Sequence, residues 1–264
     1  IDPVEMRLRN SRQLGDTTST KSYVGSCAMD ETIRKAVEKS GWNQKYGKLP
    51  KWHGIGIGTN SVQTGFPMGI RGGSQSFIKF NEDGEATIMS GVVDNGQGND
   101  NMLVQIASEE LGMKPEDIQL VTADTELTPS DSGAYSQVST FVGGHAVQIA
   151  AQNARDKLFD IAADALEANK DDLVARDRMI YVKGTQDKSI PLKKVIRMGL
   201  IQGRGVVGEG GYWPKPDLKR EWVKNPYGQL CEAFSYGTTI VEVEVDPETG
   251  QVKVLDVTAA QDVG

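Results

Sequence analysis

The sequence predicts an α+β fold, with helices packed on largely antiparallel sheets in two similar-sized subdomains. Three observations predict it. Apolar residues fall at helical spacing in some stretches (Leu103, Ile106, Ala107, Leu111) and alternate in others (Thr239, Val241, Val243, Val245). Short turns, Asn81-Glu82-Asp83-Gly84 and Asp246-Pro247-Glu248-Thr249-Gly250, join strand-like runs that fold back on each other. Glycine accounts for 30 of 264 residues and aromatics for only 6%, a balance that suits a globular chain with many tight turns.

Taken in order, Asp2 to Asn10 reads as a short helix, followed by a polar linker through Gly15-Asp16-Thr17-Thr18-Ser19-Thr20. Asp30 to Lys39 reads as a helix with Ile33, Ala36 and Val37 on one face. Gly54-Ile55-Gly56-Ile57-Gly58 is a glycine-interrupted strand, and Ser76–Phe80 with Ala86–Met89 form a hairpin. A helix then ends at Gly112, Gln119–Ala123 is a short strand, and Ser139–Leu166 is a long helix. Its stripe is Ala146, Ile149, Ala150, Ala154, Leu158, Ile161, Ala162 and Ala165. Gly143-Gly144 inside it costs roughly 1 kcal/mol per glycine, which close approach of another element would justify. Residues 184–228 show little period and read as loops and short elements. The last strands are Thr239–Val245 and Val252–Val257. The expected division is a linker and helix over 1–50, a first subdomain over 51–175 and a second over 176–264, joined near residues 170–185. No internal repeat or low-complexity tract stands out.

The net charge of −7 gives no basic footprint for nucleic acid or an anionic membrane. No apolar run reaches the ~20 residues of a membrane span. The start at Ile1-Asp2-Pro3 has no signal-peptide shape and reads as a chain entered in mid-protein. Cys27 and Cys231 lie far apart, which fits a reduced, cytoplasmic setting. Two cysteines and two histidines, so scattered, lack the ligand spacing of a zinc or iron–sulfur site.

Two segments carry candidate chemistry. Asp94-Asn95-Gly96-Gln97-Gly98-Asn99-Asp100 lies between a strand and a helix. Its glycines let the backbone turn tightly and approach a ligand, Gln97 adds a donor–acceptor amide, and a helix start favours an anion. Equally, it reads as a strand-to-helix turn capped by Asn99 or Asp100. Ser132-Gly133-Ala134-Tyr135-Ser136-Gln137-Val138-Ser139-Thr140 opens the long helix with several hydroxyls, and it too reads as ordinary capping. Two polar, glycine-containing helix starts together suit an extended phosphate-bearing ligand, one part on each. Gly54-x-Gly56-x-Gly58 lacks the spacing of a dinucleotide fingerprint, and no Walker sequence is present. His53 and His145 stand alone, and the bland reading of each is a packed or solvated side chain.

In family order, these segments resemble the molybdenum-cofactor-binding large subunit of the xanthine dehydrogenase and aldehyde oxidase family. The resemblance rests on Asp2-Pro3 through Arg7 and Asn10, and on Gly96-Gln97-Gly98 with Gln105-Ile106-Ala107-Ser108-Glu109-Glu110-Leu111-Gly112. It continues through Asp124-Thr125, Pro129, Gly133-Ala134-Tyr135-Ser136 and Gly144-His145-Ala146. It ends with Val241–Gly250 and Asp262-Val263-Gly264. Tyr135-Ser136 is more similar to the hydroxybenzoyl-CoA reductase and nicotinate dehydrogenase branch. The resemblance implies a molybdenum-bearing molybdopterin, in bacteria often a dinucleotide such as the cytosine form. Asn95, Gly96, Gln97 and Gly98 would touch it near the metal or phosphate, and Ser136, Gln137, Ser139 and Thr140 would hold its polar tail. Asp262 is a further cofactor-binding expectation. The implied chemistry is oxidation of an aldehyde, purine or aromatic substrate with oxygen from water. A glutamate serves as base, and electrons leave through iron–sulfur clusters to FAD on partner domains or subunits.

The chain departs from that family in lacking the Gly-x-Gly-Glu segment with the base, and the upstream glycine-rich loop. It is therefore expected to be part of a molybdenum subunit, inactive in isolation and with no catalytic residue or metal ligand of its own. Val207-Gly208-Glu209-Gly210 imitates the base segment, but its order is wrong and Glu209 reads better as a loop residue. The other reading is a non-catalytic binding or scaffold domain of the same fold, without metal.

Overall fold

The computed structural model describes residues 1–65, 73–214, 227–229 and 231–263. In chain order the first elements are α1 (Pro3–Arg9), α2 (Met29–Ser40), α3 (Trp42–Lys45), β1 (His53–Thr64), β2 (Ser74–Phe80) and β3 (Ala86–Ser90). Then come α4 (Asn99–Leu111), β4 (Ile118–Thr122), a π-helical turn (Ser139–Gly143) and α5 (Gly144–Leu166). The rest are β5 (Leu173–Arg176), β6 (Met179–Val182), β7 (Thr185–Pro191), α6 (Leu192–Ile201), β8 (Val207–Tyr212), β9 (Ala233–Val245) and β10 (Val252–Asp262). The mixture is α+β, and among the described residues every strand pair but one is antiparallel.

The chain forms two compact units, Ile1–Thr64 with Lys215–Gly264, and Gly65–Pro214. The division differs from the one expected near residues 170–185. That stretch lies inside the second unit, where β5, β6 and β7 form a three-stranded sheet. The physical reason is the ladder between β1 and β9, which runs from His53↔Glu244 to Thr64↔Ala233 and ties the two ends of the chain together. Such a long-range pairing leaves no local mark in the sequence.

In the first unit, Asp2 caps α1 by accepting from the Val4 and Glu5 N–H groups, and Pro3 sits in the first turn. Helix α2 stops at Gly41, which is left-handed. It packs on the sheet β1-β9-β10 through Ala36 beside Trp42 and Ile240. The Thr32 and Thr238 hydroxyls meet at 3.0 Å in the same layer. The expected polar linker is an ordered loop, with Val24 fully buried and Thr17 bridged to Tyr23.

In the second unit, the four-stranded sheet has the order β4-β3-β2-β8. Ile78 and Ile88 on this sheet, with Leu103 and Leu111 of α4 and Leu158 and Ile161 of α5, form the core. The stripe foreseen on the long helix is buried at Ala146, Ala150, Ala154, Leu158, Ile161 and Ala162, but Ile149 is half-buried, and at the end Ala165 is exposed and Leu166 is buried instead. The close approach expected at Gly143-Gly144 is present. A Cβ on Gly143 would fall 2.5 Å from Val92 Cγ2, and one on Gly144 would fall 2.9 Å from Ile106 Cδ1.

The stretch read as loops, 184–228, contains β7, α6 and β8; its residues 215–226 lie outside the described set, as does Gly264. Leu192, Val195, Ile196 and Gly199 do fall at helical spacing and are buried, so α6 had a signal that the surrounding Lys and Gly obscured. Strand β8 hid for another reason. Gly208 and Gly210 interrupt its alternation because they face α5, where a Cβ would lie 2.0 Å from the Ala150 carbonyl oxygen or 2.2 Å from that of Ala146.

Candidate cofactor-binding loops

Strands β3 and β4 are the one parallel pair among the described residues, and α4 crosses between them. Ligands of such units collect beyond the carboxyl ends of the strands. The first candidate loop, residues 94–98, occupies that place and is exposed throughout. Its organising residue is Asp94. One carboxylate oxygen accepts the Gly96 N–H at 2.6 Å and the Gly98 N–H at 3.4 Å; the other accepts the Asp100 N–H at 3.2 Å. These donors, Gly96 foremost, hold the Asp94 pKa below its ordinary 3.8. Gly96 and Gly98 are left-handed, with φ of 103° and 83°.

Neither Asn99 nor Asp100 caps α4. The residue at the cap position is Gly98, which has no capping side chain. Asn99 is buried and donates to the Val93 carbonyl at 2.8 Å, while Asp100 Oδ1 takes the Thr122 hydroxyl at 3.3 Å. Gln97 folds back on its own loop, accepting the Asn95 N–H at 2.6 Å and donating weakly to Val93 O at 3.4 Å. Around Gly96 and Gly98 there is open space, since a Cβ on either would meet nothing within 4 Å. The loop can thus offer a neutral amide edge to an approaching group. The α4 N–H groups are already turned to Asp94, so an added anion would compete with a carboxylate.

The second loop has the complementary character. Gly133 N–H is held by Asp131 at 2.7 Å, and the Ser136 carbonyl accepts from Gly65 N–H. Ser136 and Gln137 both adopt positive φ, 43° and 58°, unusual for residues with side chains and a form of local strain. The π turn that follows starts without a side-chain cap. Ser139 is half-buried and Thr140 exposed. The Ser132 hydroxyl is buried with no hydrogen-bond partner among the described residues, so it can take one polar group. Hydroxyls, strained backbone and an uncapped helix start suit an oxyanion.

Both loops stand at one end of the second unit. Gly143 packs on Val92, and α4 packs on the π turn. Val92 is three residues from Asn95, and Gly143 is four from Ser139, so Asn95 and Ser139 lie within roughly 20 Å by chain reach. The remaining expected cofactor residue is Asp262. It ends β10 in the first unit, where its carboxylate accepts the Ala28 N–H at 3.0 Å.

Glu209 is exposed in the middle of β8, between two glycines that face α5, and its carbonyl accepts from Asn153. His145 stacks on Tyr212 and its Nδ1 meets the Phe141 carbonyl, so it is a packed residue. His53 lies 3.9 Å from Glu244. Among the described residues, no group of three or more His, Cys, Asp or Glu side chains could hold a metal ion. The sequence reading passed over Asp94 and Ser132 as site residues. An Asx-type turn, Asp followed by Asn-Gly, was the available signal for the first; nothing local marks the second.

A family model for the molybdopterin cofactor-binding domain matches residues 32–264. The chain belongs to that family. It is 31% identical over 211 residues, 80% of its length, to the 6-hydroxypseudooxynicotine dehydrogenase complex subunit gamma of Paenarthrobacter nicotinovorans, of which the match covers 25%. It is 26% identical over 98% of its length to a probable hypoxanthine oxidase of Escherichia coli, covering 26% of that protein. Quinoline 2-oxidoreductase from Pseudomonas putida 86 shares the fold over the whole chain, with a TM-score of 0.78 at 21% identity, and 35% of that structure is covered. The chain therefore spans about a quarter of the length of these curated relatives. Among the described residues, no helix is long and apolar enough to cross a membrane.

Proposed function

We propose that the chain supplies part of the molybdopterin-holding wall of a xanthine dehydrogenase-type molybdenum hydroxylase. The observation that carries this is the pair of loops at one end of the second unit, opposite in character, in a member of the molybdopterin cofactor-binding domain family. Gln97, with the open backbone at Gly96 and Gly98 and with Asn95, would meet a neutral, hydrogen-bonding edge of the cofactor. Ser136, Gln137, Ser139 and Thr140 would take its phosphate-bearing part, with the Ser132 hydroxyl as a further contact. The residues fit such a group because space is open over Gly96, Gly98 and Gly133. When bound, the cofactor supplies two-electron redox chemistry and acidifies water.

The family resemblance supports iron–sulfur and FAD partners and a reduced, cytoplasmic setting. Relatives are named as parts of complexes, as in the subunit gamma above. Their names span nicotine derivatives, purines and carbon monoxide; the family resemblance supports an aldehyde, purine or aromatic substrate. In the complete enzyme, replacing Ser139 and Thr140 with Ala should lower bound molybdenum, measured by elemental analysis, while the fold persists. The chain alone should show no turnover of aldehydes, purines or aromatic heterocycles. A molybdenum-dependent rate from the chain alone would overturn the proposal in this form. An intact assembly that contains no molybdenum would favour the scaffold reading.

A further inference from the structure

On β9, Tyr236 stands between Ser61 of β1 and Asp262 of β10 in the strand register. It is 1% exposed, and its hydroxyl has no hydrogen-bond partner among the described residues. A buried tyrosine normally sets its O–H on an acceptor, so an orphaned one calls for a reason. The chain before α2 lies over this place. Arg12 donates to the Ser61 hydroxyl at 2.8 Å, and its guanidinium lies over the Phe234 ring. Cys27 Sγ donates to the Arg12 carbonyl at 3.1 Å, and the next residue, Ala28, donates its N–H to Asp262 at 3.0 Å. The thiol is thus tied to residues that bind both cross-strand neighbours of Tyr236.

The Tyr236 phenol stands beside the Cys27 thiol without forming a hydrogen bond to it. Burial foremost, and then the thiol, hold the phenol above its ordinary range, so it stays a protonated donor. A thiol suits these surroundings poorly. Its one weak donor is already given to the Arg12 carbonyl, and its sulfur is a weak acceptor. A sulfenic acid, Sγ–O–H, has one hydroxyl donor and an oxygen acceptor. Its donor matches the Arg12 carbonyl, and its oxygen matches the orphaned Tyr236 hydroxyl. Cys27 is half-exposed, so an oxidant reaches its sulfur, whereas Cys231 is fully buried.

We propose that Cys27 is a site of reversible oxidation by hydroperoxides, held as a sulfenic acid between the Arg12 carbonyl and the Tyr236 hydroxyl. With hydrogen peroxide, the sulfur attacks one peroxide oxygen, and the S–O bond forms as the O–O bond breaks. Sulfur loses two electrons, the peroxide gains them, and the thiol proton leaves with the second oxygen as water. Two molecules of a small thiol reverse the change. The first displaces water to give a mixed disulfide, and the second releases Cys27 as the thiol.

Trapping with dimedone, which adds to sulfenic acids, tests this on the native chain after a small molar excess of hydrogen peroxide. Peptide mapping should place the adduct on Cys27 and not on Cys231. A small thiol added before dimedone should abolish it. Tyr236→Phe removes only the hydroxyl. It should leave the Cys27 thiol as reactive toward an aromatic disulfide as in the parent, yet shorten the sulfenic acid's lifetime about three- to tenfold, the worth of one hydrogen bond. The parent unfolded in urea gives the same comparison without a variant, and there too the lifetime should fall. No adduct at Cys27, or its direct passage to the sulfinic acid in the native parent, would overturn the proposal. So would equal lifetimes in the folded and unfolded parent. Equal lifetimes in the parent and a folded Tyr236→Phe protein would overturn it as well, by removing the hydroxyl from the site.

Discussion

The Asp94 carboxylate accepts the Gly96 N–H at 2.6 Å, and around this bond the first cofactor loop is organised. The same side chain serves Gly98 and Asp100, so the carboxylate acts both as loop brace and as cap of α4. Its donors favour the ionised form and depress its pKa. The sign follows: the brace is complete above the ordinary carboxylate range and is lost as pH falls through the depressed value. Asp94→Asn should remove this acid-side change and speed amide exchange at Gly96, Gly98 and Asp100 at pH 7. Unchanged exchange at those three amides would show that the carboxylate does not organise the loop.

Gln97 has two roles that one variant separates. Its Oε1 braces the loop through Asn95 N–H, but its amide nitrogen is only loosely held by Val93 O. The residue is exposed, so Gln97→Ala should move the melting temperature little, by an amount equivalent to about 0.5–1 kcal/mol. In the complete enzyme it should lower retained molybdenum about ten- to a hundredfold, the worth of a hydrogen bond to a strongly polar group. Early melting with full metal content would assign Gln97 to the brace alone.

Elements set by local pattern were legible: α2, α4, α5 and the hairpins β2–β3 and β9–β10 stand where spacing and turn residues put them. Gly96-Gln97-Gly98 was legible as a loop because Asp-Asn-Gly can only turn there. What the sequence concealed depends on contacts between distant segments. The β1–β9 ladder joins residue 53 to residue 244 and decides the unit boundaries. The glycines of β8 look like a broken strand until α5 is laid against them. Asp262, which the resemblance assigned to the cofactor from a separate segment, belongs to the first unit, where its carboxylate accepts the Ala28 N–H. The Ser132 hydroxyl has no partner among the described residues, and no spacing rule marks such a group.

Glu110 binds three donors from α5: Gln148 and Gln152 at 2.9 and 3.0 Å, and Arg155 at 2.7 Å. With the Glu110 side chain 16% exposed, this ties the last turn of α4 to the middle of α5. Glu110→Ala would leave those donors unmatched in a half-buried place. A loss of about 2–3 kcal/mol is expected, below the full cost of breaking a buried pair because Arg155 keeps some solvent. Glu110→Gln should lose less. Chemical denaturation of the three proteins measures it, and equal midpoints would show that the tie carries no stability.

The two cysteines should differ in reactivity. Cys231 is fully buried, and desolvation pushes its pKa from 9.0 up to about 11. Cys27 is half-exposed. An aromatic disulfide reagent at pH 8 should therefore titrate Cys27 in the native chain and reach Cys231 only after denaturant is added. Burial also holds the Tyr236 phenol above its ordinary range. Both groups stay neutral in the fold and ionise more readily once unfolded. Their contribution is intact below pH 9 and drains away as pH rises beyond it. Denaturation midpoints that stay flat from pH 8 to 11 would contradict this.

Two glycines in similar G-x-G strands should respond in opposite ways to the same change. On β8, a Cβ at Gly208 would sit 2.0 Å from the Ala150 carbonyl oxygen and 2.6 Å from the Ala154 nitrogen. Those atoms are helix backbone and cannot swing aside. Gly208→Val must push β8 off α5, and overpacking of this kind costs about 1–3 kcal/mol or more. For a chain of this size that is a fall in melting temperature on the order of 5 °C or more. On β1, Gly56 has ordinary backbone geometry and nothing within 4 Å of a Cβ. Glycine there brings only conformational entropy to the unfolded state and no packing to the strand. Gly56→Val in this chain should therefore raise the melting temperature by about 1–3 °C. Thermal melts of the two variants beside the parent decide the matter. A Gly208→Val protein that melts with the parent would show that β8 does not lie on the α5 backbone. A destabilised Gly56→Val would show that the outer face of β1 is covered.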